Sequence, residues 1–377
     1  MRASDAPPSV QMKKNYRADH VGSFLRPQAL LDARASHDVA HLKEIEDLSI
    51  RSVLARQEEL GFTVSTDGEF RRTNFMSDFW DSVDGFALDE DAIGHSWKAG
   101  SASGAAPSHV PGIVNGKLHR TRRLTATETP FLQANSRTDV KVTLPSPNQF
   151  PFISFKKGVT DKVYANHSAL LADIVAILKG EVAALAADGV QYIQIDTPRY
   201  SYFLDPKWRD WVRTEIGVDP DAALDEAIAA ENTCFDAARA SGATLAMHLC
   251  RGNNRSNWYA QGGYDAIAEK LFSELRVDRF LLEFDDERSG GFEPLRFIPA
   301  GKTVVLGLVS TKRPEMETSE GLIRRIEEAS KYVPMENLAL SPQCGFASVM
   351  EGNLVTEQTQ WDKLKLVADT ARQVWQS

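Results

Sequence analysis

Eight short apolar segments rich in β-branched residues recur along this chain with long helical patterns between them. That alternation constrains the fold more than any other feature. The segments read ADHVGS, FTVSTDGE, VKVTLPSP, YIQIDTP, TLAMHLC, RFLLEFDD, TVVLGLVS and LALSPQCG. Strands that alternate with amphipathic helices predict parallel βα units. The helical periodicity is clearest from about residue 44 to 60, 165 to 188, 222 to 240 and 320 to 332. Eight units are the number that closes a (β/α)8 TIM barrel, an α/β fold.

The polar residues support a barrel over an open sheet. Nearly every strand candidate finishes in them: His20, Asp67 and Glu69, Asp196, His248 and Cys250, Glu283, Cys344. Barrels gather their chemistry at the C-terminal ends of their strands. An open doubly wound sheet also binds ligands there, but no G-x-G-x-x-G or G-x-x-x-x-G-K-[ST] turn is present to cradle a phosphate. Residues 81–139 break the rhythm with a stretch rich in Gly, Ser, Ala and Pro, read as an insertion between barrel strands. Its GIVNGKLHR portion carries Asn-Gly between alternating runs, a hairpin signal. Residues 1–15 read as a loose arm, and the whole of 1–377 as a single catalytic domain.

Charge and cysteine usage narrow the function. The net charge is −9 and the basic residues are scattered, so the footprint of a nucleic-acid binder is missing. The opening residues have no signal-peptide core and no later stretch is apolar for long enough to span a membrane, which predicts a cytoplasmic protein. Three cysteines, Cys234, Cys250 and Cys344, are too few for a disulfide framework. Any special use of these thiols is therefore chemical.

His248 and Cys250 stand at i and i+2 on a strand, so their side chains leave the same face, as two ligands of one metal must. Alone, the pair equally fits a satisfied core histidine and a small buried thiol. Glu283 and Cys344 end two further strands, and one imidazole, two thiolates and one carboxylate make a tetrahedral set suited to Zn2+. Glu283 follows three apolar residues directly, where a buried carboxylate needs a partner or a metal. Cys234 lies inside the helical AAENTCFDAARA and is read as structural. Zinc with thiolate ligands and an exchangeable position lowers the pKa of a bound thiol, and the thiolate then attacks an alkyl carbon.

With these residues in view, the chain resembles the catalytic half of the cobalamin-independent methionine synthases, in the wider group of zinc-dependent thiol alkyltransferases with a methionine synthase/uroporphyrinogen decarboxylase-like barrel. HLCRGNNRS, LEFDDERSGGFEPLRF and LSPQCGFAS carry the resemblance, which runs from RADHVGSFLRP to LALSPQCGF. It is most similar to the short branch that lacks the family's N-terminal duplicate barrel. The resemblance implies that His248, Cys250, Glu283 and Cys344 bind zinc. It further implies that Val21, Gly22 and Ser23 contact an amino-acid thiol, and that Glu69 and Asp196 hold its ammonium group. Two departures stand out: Ser310, Thr311 and Lys312 occupy the place of a proton-transferring histidine, and TLPSPNQFPF offers phenylalanine where the family stacks tryptophan on folate.

Two substrate pairs follow, each a small-molecule thiol with an alkyl donor. The preferred one resembles epoxyalkane:coenzyme M transferase, in which the thiolate of 2-mercaptoethanesulfonate opens an epoxide to a 2-hydroxyalkyl thioether. Arg71, Arg199 or Arg251 would hold the sulfonate, and His20 or Tyr200 would supply the proton. The alternative is methyl transfer from methyltetrahydrofolate or a smaller donor to homocysteine, which the retained Glu69 and Asp196 favour. A metal-stabilised binding barrel without catalysis is a third reading. No nucleic-acid or membrane partner is expected, and a homo-oligomer is compatible with all three.

Overall fold

The structure, a computed structural model, describes residues 14–88 and 112–376. Most of the predicted arm and the middle of the predicted insertion lie outside these residues. Nine strands are formed among them: β1 (Val64–Ser65), β2 (Val83–Ala87), β3 (Ile113–Arg120), β4 (Asp139–Pro145), β5 (Tyr192–Asp196), β6 (Thr244–Leu249), β7 (Arg279–Glu283), β8 (Thr303–Val309) and β9 (Leu338–Pro342). Seven of them make one parallel sheet in the order β1-β4-β5-β6-β7-β8-β9. Segment 17–21 supplies the eighth position. Ala18 bridges Leu340 in parallel, and at the other edge the Thr66 hydroxyl donates to Gly22 O at 2.6 Å while Phe24 N donates to Gly68 O at 3.1 Å. The sheet thus curls into a TIM-barrel-like α/β fold.

Four of the crossover helices start on a side chain that accepts free N–H groups of the first turn: Asp38 for Val39–Leu60, Asn166 for His167–Ala187, Asp219 for Pro220–Asp236 and Thr318 for Ser319–Ala329. The helix Glu357–Trp375, capped by Thr356, closes the chain. One face of each helix packs on the barrel wall; Ile50, Val53, Leu54 and Leu60 do so in the first. A fully buried aliphatic side chain of this kind contributes about 1.5–3 kcal/mol.

Strand alternation divides the core in two. Tyr16, Val21, Val64, Tyr192, Ala246, Leu281, Val305 and Ala339 form a small cluster inside the barrel, and their sequence neighbours join the large layer between strands and helices. The period of two then settles which way the functional residues face. Thr143 shares the inner face with Lys141. Gln194 and Asp196 follow Tyr192, His248 follows Ala246, and Glu283 follows Leu281.

Between β1 and β4, β2 and β3 form an antiparallel ribbon. Asn115 and Gly116 lie within continuous β3 and make no turn, contrary to the hairpin expected at that dipeptide. Gly116 instead faces the irregularity around Gly85, where a Cβ would stand 3.5 Å from the Gly85 Cα. Among the described residues, no helix is long and apolar enough to cross a membrane.

Candidate metal centre and thiol site

At the C-terminal ends of the strands, His248, Cys250 and Cys344 converge. One ligand atom from each lies within 4.8 Å of the other two, and all three residues are buried. Two local features bring Cys344 across from β9 to β6. Gly307 lies where a Cβ would meet Leu282 O at 2.7 Å and Gln343 Cα at 2.8 Å, and the β8–β9 register slips beside it. Gly345 lets the chain pass Ser23, whose Oγ would be 2.0 Å from a Cβ.

The imidazole is oriented for coordination. His248 Nδ1 is 3.2 Å from Leu281 O, an acceptor, so Nδ1 carries the hydrogen and Nε2 is left with its lone pair. Nε2 is buried with no hydrogen-bond partner. Such a bond from the remote nitrogen is the usual support of a metal-binding histidine. The thiols differ in character. The hydrogen bond from Cys250 holds Cys344 well below the ordinary thiol range despite burial, with His248 adding to the effect, while Cys250 is pushed well above it by the same bond and by burial.

Glu283, the fourth expected ligand, is not part of this group. Its Oε1 accepts from Arg288 at 2.7 Å and Lys312 at 3.2 Å, and its Oε2 accepts the backbone N–H of Arg251 at 2.6 Å. Against the desolvation of full burial, Lys312, Arg288 and Arg251 hold this carboxyl well below the usual carboxylate range.

Two carboxylates face the metal group. Glu69, at φ 59°, accepts the Thr143 hydroxyl at 2.8 Å on Oε1, and its Oε2 is buried without a hydrogen-bond partner. Asp196 accepts from Gln194 Nε2 at 2.8 Å. Burial pushes Asp196 up to about 7, with His248 opposing and the charge of Glu69 adding to the rise. Gly22 sits against this pair at φ 139°. A Cβ there would be 2.8 Å from Thr143 Cγ2 and 3.6 Å from Glu69 Oε1, and the position therefore demands glycine. Ser23 is buried next to Gly345.

The other expected site residues are placed differently. His20 points out of the barrel because its neighbours Asp19 and Val21 point in. It lies between Phe24 and Phe62, at ring distances of 5.2 and 5.3 Å, on the face turned away from the other site residues, and burial lowers its pKa to about 3. Tyr200 is likewise a core residue against Phe203, its phenol pushed well above the usual range by burial and by Glu231. Arg71 is spent on Glu46 and Asp47 and stacks over Phe131 at 4.9 Å. Arg251 ties down its own loop through Gly262 O, Ser289 O and Glu283 O, with Tyr264 4.1 Å beneath it. Arg199 bonds the Tyr202 hydroxyl at 2.7 Å and lies over the rings of Tyr202 and Tyr259.

Sequence reading passed over several residues that shape the site. Arg72, not Arg71, enters it, pairing with Asp78 and Glu128 and lying 3.6 Å from Glu69. Thr143, Gln194 and Lys141 share the inner face with residues that had been singled out, and the two-residue period was the signal available for them.

Comparisons with known proteins place the chain in a family. Residues 19–372 match the family model described as "Cobalamin-independent synthase, Catalytic domain". The chain belongs to this family. Its relatives include YxjH of Bacillus subtilis, 39% identical over 97% of this chain and 96% of that one. They also include a methionine synthase of Saccharolobus solfataricus, 25% identical over 86% of each chain. A solved B12-independent methionine synthase from a Shewanella species, in complex with selenomethionine, superposes with a TM-score of 0.75 over 96% of this chain and 98% of that one, at 20% identity. Membership makes the chain a transferase of methionine synthase type, as the sequence resemblance anticipated.

Proposed function

We propose that the chain is a zinc-dependent methyltransferase whose acceptor is a small amino-acid thiol, homocysteine. The observation that carries this is the pairing of an unpartnered His248 Nε2 and two cysteines with two buried carboxylates, Glu69, whose Oε2 has no hydrogen-bond partner, and Asp196, which accepts from the Gln194 amide. His248, Cys250 and Cys344 would hold the zinc. Glu283 would reach it only by exchanging Arg288 and Lys312, so the fourth position is the exchangeable one. When bound, zinc supplies a Lewis acid that turns a thiol into a thiolate nucleophile at neutral pH.

The protein's own groups do the rest. The unpartnered Glu69 Oε2 and the Asp196 carboxylate are acceptors suited to a substrate ammonium, and Gly22 leaves room beside them. Burial of all three donor residues and both acids excludes water from the nucleophile. Coenzyme M and an epoxide fit less well, because the arginines expected to clamp a sulfonate are spent: Arg71 on helix carboxylates, Arg251 on loop carbonyls and Arg199 on its tyrosines. His20 and Tyr200 are also out of reach as acids.

X-ray absorption at the zinc edge tests this. Homocysteine is expected to add a sulfur to the coordination sphere, and 2-mercaptoethanesulfonate to leave it unchanged. Entry of the sulfonate thiol alone would restore the coenzyme M reading. A spectrum unmoved by either thiol would mean a closed, non-catalytic zinc.

A further inference from the structure

A file of buried side chains runs up the barrel from Asp19 to Asp196. Lys141 Nζ donates to Asp19, to His20 O and, at 3.1 Å, to Gln194 Oε1. An ammonium has three hydrogens and no acceptor, so these bonds use it completely and set the Gln194 carbonyl towards the lysine. The NH2 end of the amide must then face the other way. It donates to Val21 O at 2.6 Å and to Asp196 Oδ1 at 2.8 Å. The lower end is equally fixed: Asp19 also accepts from Tyr192 at 2.9 Å and lies 3.4 Å from Arg279. Lys141 and Gln194 are 1% and 0% exposed, so no water competes for these bonds.

We propose that Lys141 and Gln194 are positioning residues for the thiol substrate: through an amide that cannot flip, they orient the Asp196 carboxylate to receive the substrate ammonium. The proposal rests on the reading above that Asp196 meets that ammonium. The lysine is what gives the amide its direction. Without it, the Gln194 carbonyl is left buried with no donor, and the amide, held only through Val21 O and Asp196 itself, no longer fixes where the carboxylate lies. A purely structural network would stabilise the barrel without regard to which thiol binds above it.

The test is calorimetric titration of the zinc-loaded protein with homocysteine and with 4-mercaptobutanoate, the same thiol acid without the ammonium. It needs no methyl donor. Gln194→Met removes the N–H donor, and Lys141→Met removes the group that directs it. In each variant the Kd for homocysteine is expected to rise about tenfold or more, from losing a hydrogen bond to a charged group, while 4-mercaptobutanoate stays within about twofold. The readout is a ratio on one protein preparation, which a general loss of fold moves equally for both thiols. The substitutions also sit at different points of the file, so failure of one to fold leaves the other decisive. An unchanged preference in a folded, zinc-retaining variant overturns the proposal. A wild-type protein without preference, or an Asp196→Asn variant that keeps it, overturns the ammonium reading instead.

Discussion

His20→Leu separates a core histidine from a catalytic one. His20 is 1% exposed between Phe24 and Phe62, and its pKa falls from 6.5 to about 3 because burial penalises the imidazolium, with Lys141 adding to the effect. The unfolded chain therefore binds a proton that the folded chain refuses throughout that window. Stability tied to His20 is complete above pH 6.5 and is lost as the pH falls towards about 3. Between about pH 7.5 and about pH 5 the linkage amounts to ~2 kcal/mol, from roughly 1.5 pH units at about 1.4 kcal/mol each. Leucine has no such proton to refuse. Urea denaturation of zinc-free wild type and variant at the two pH values should show the wild type losing ~2 kcal/mol more than His20→Leu. The difference between the proteins cancels all other titrations. The same variant should keep full zinc and bind homocysteine with unchanged affinity. An equal pH response in the two proteins would refute the buried-neutral assignment, and a folded, zinc-loaded variant without methyl transfer would return His20 to the chemistry.

Other consequences follow from the same geometry. Cys250→Ala and Cys344→Ala should each weaken zinc binding by more than about 100-fold, beyond the cost of losing a partner that merely orients a ligand. Cys234→Ala, which alters a buried helix residue with Sγ 4.0 Å from Val175 O, should leave zinc stoichiometry at the wild-type value. A metal assay on the three purified proteins decides it. Gly22→Ala places a methyl 2.8 Å from Thr143 Cγ2 at φ 139° and should cost about 1–3 kcal/mol in thermal unfolding while displacing Glu69. Homocysteine affinity should fall with it, and a variant as stable and as tight-binding as wild type would show that the close approach is not required.

The eight-fold alternation was legible in the sequence because a parallel strand buried on both faces reads as an apolar run whatever its partners. All eight predicted segments occupy barrel positions. The shared face of His248 and Cys250 was legible for a related reason: their i, i+2 spacing survives any error in strand boundaries. His20 was misread because ADHVGS is buried on both faces, and nothing in the run says whether Asp19 or His20 faces inward. The inner network decides it, with Lys141 and Arg279 drawing Asp19 in, and those partners are about 120 and 260 residues away. Arg71 and Arg72 pose the same problem beyond the strand, where Glu69 at φ 59° breaks the two-residue period and local pattern cannot say which arginine enters the site.

Glu283 shows where a burial argument stops. An acid following FLL had to be partnered, and it is, since a buried ionised carboxylate without compensation costs far more than a fold can spare. That argument counts partners without naming them, and a metal ion satisfies it no better than two cations do. The structure fills the requirement with Arg288, 2.7 Å away beyond β7, and Lys312, 3.2 Å away beyond β8. Lys312 and the occupied carboxylate are thus one fact: a cation at position 312 gives Glu283 a partner other than metal, and the two substitutions most informative about coordination here are Lys312→Met and Glu283→Gln compared in the same zinc titration. If the cations compete with the metal for the carboxylate, Lys312→Met tightens zinc and Glu283→Gln leaves it nearly unchanged; the reverse order would make Glu283 a ligand that Lys312 only steadies.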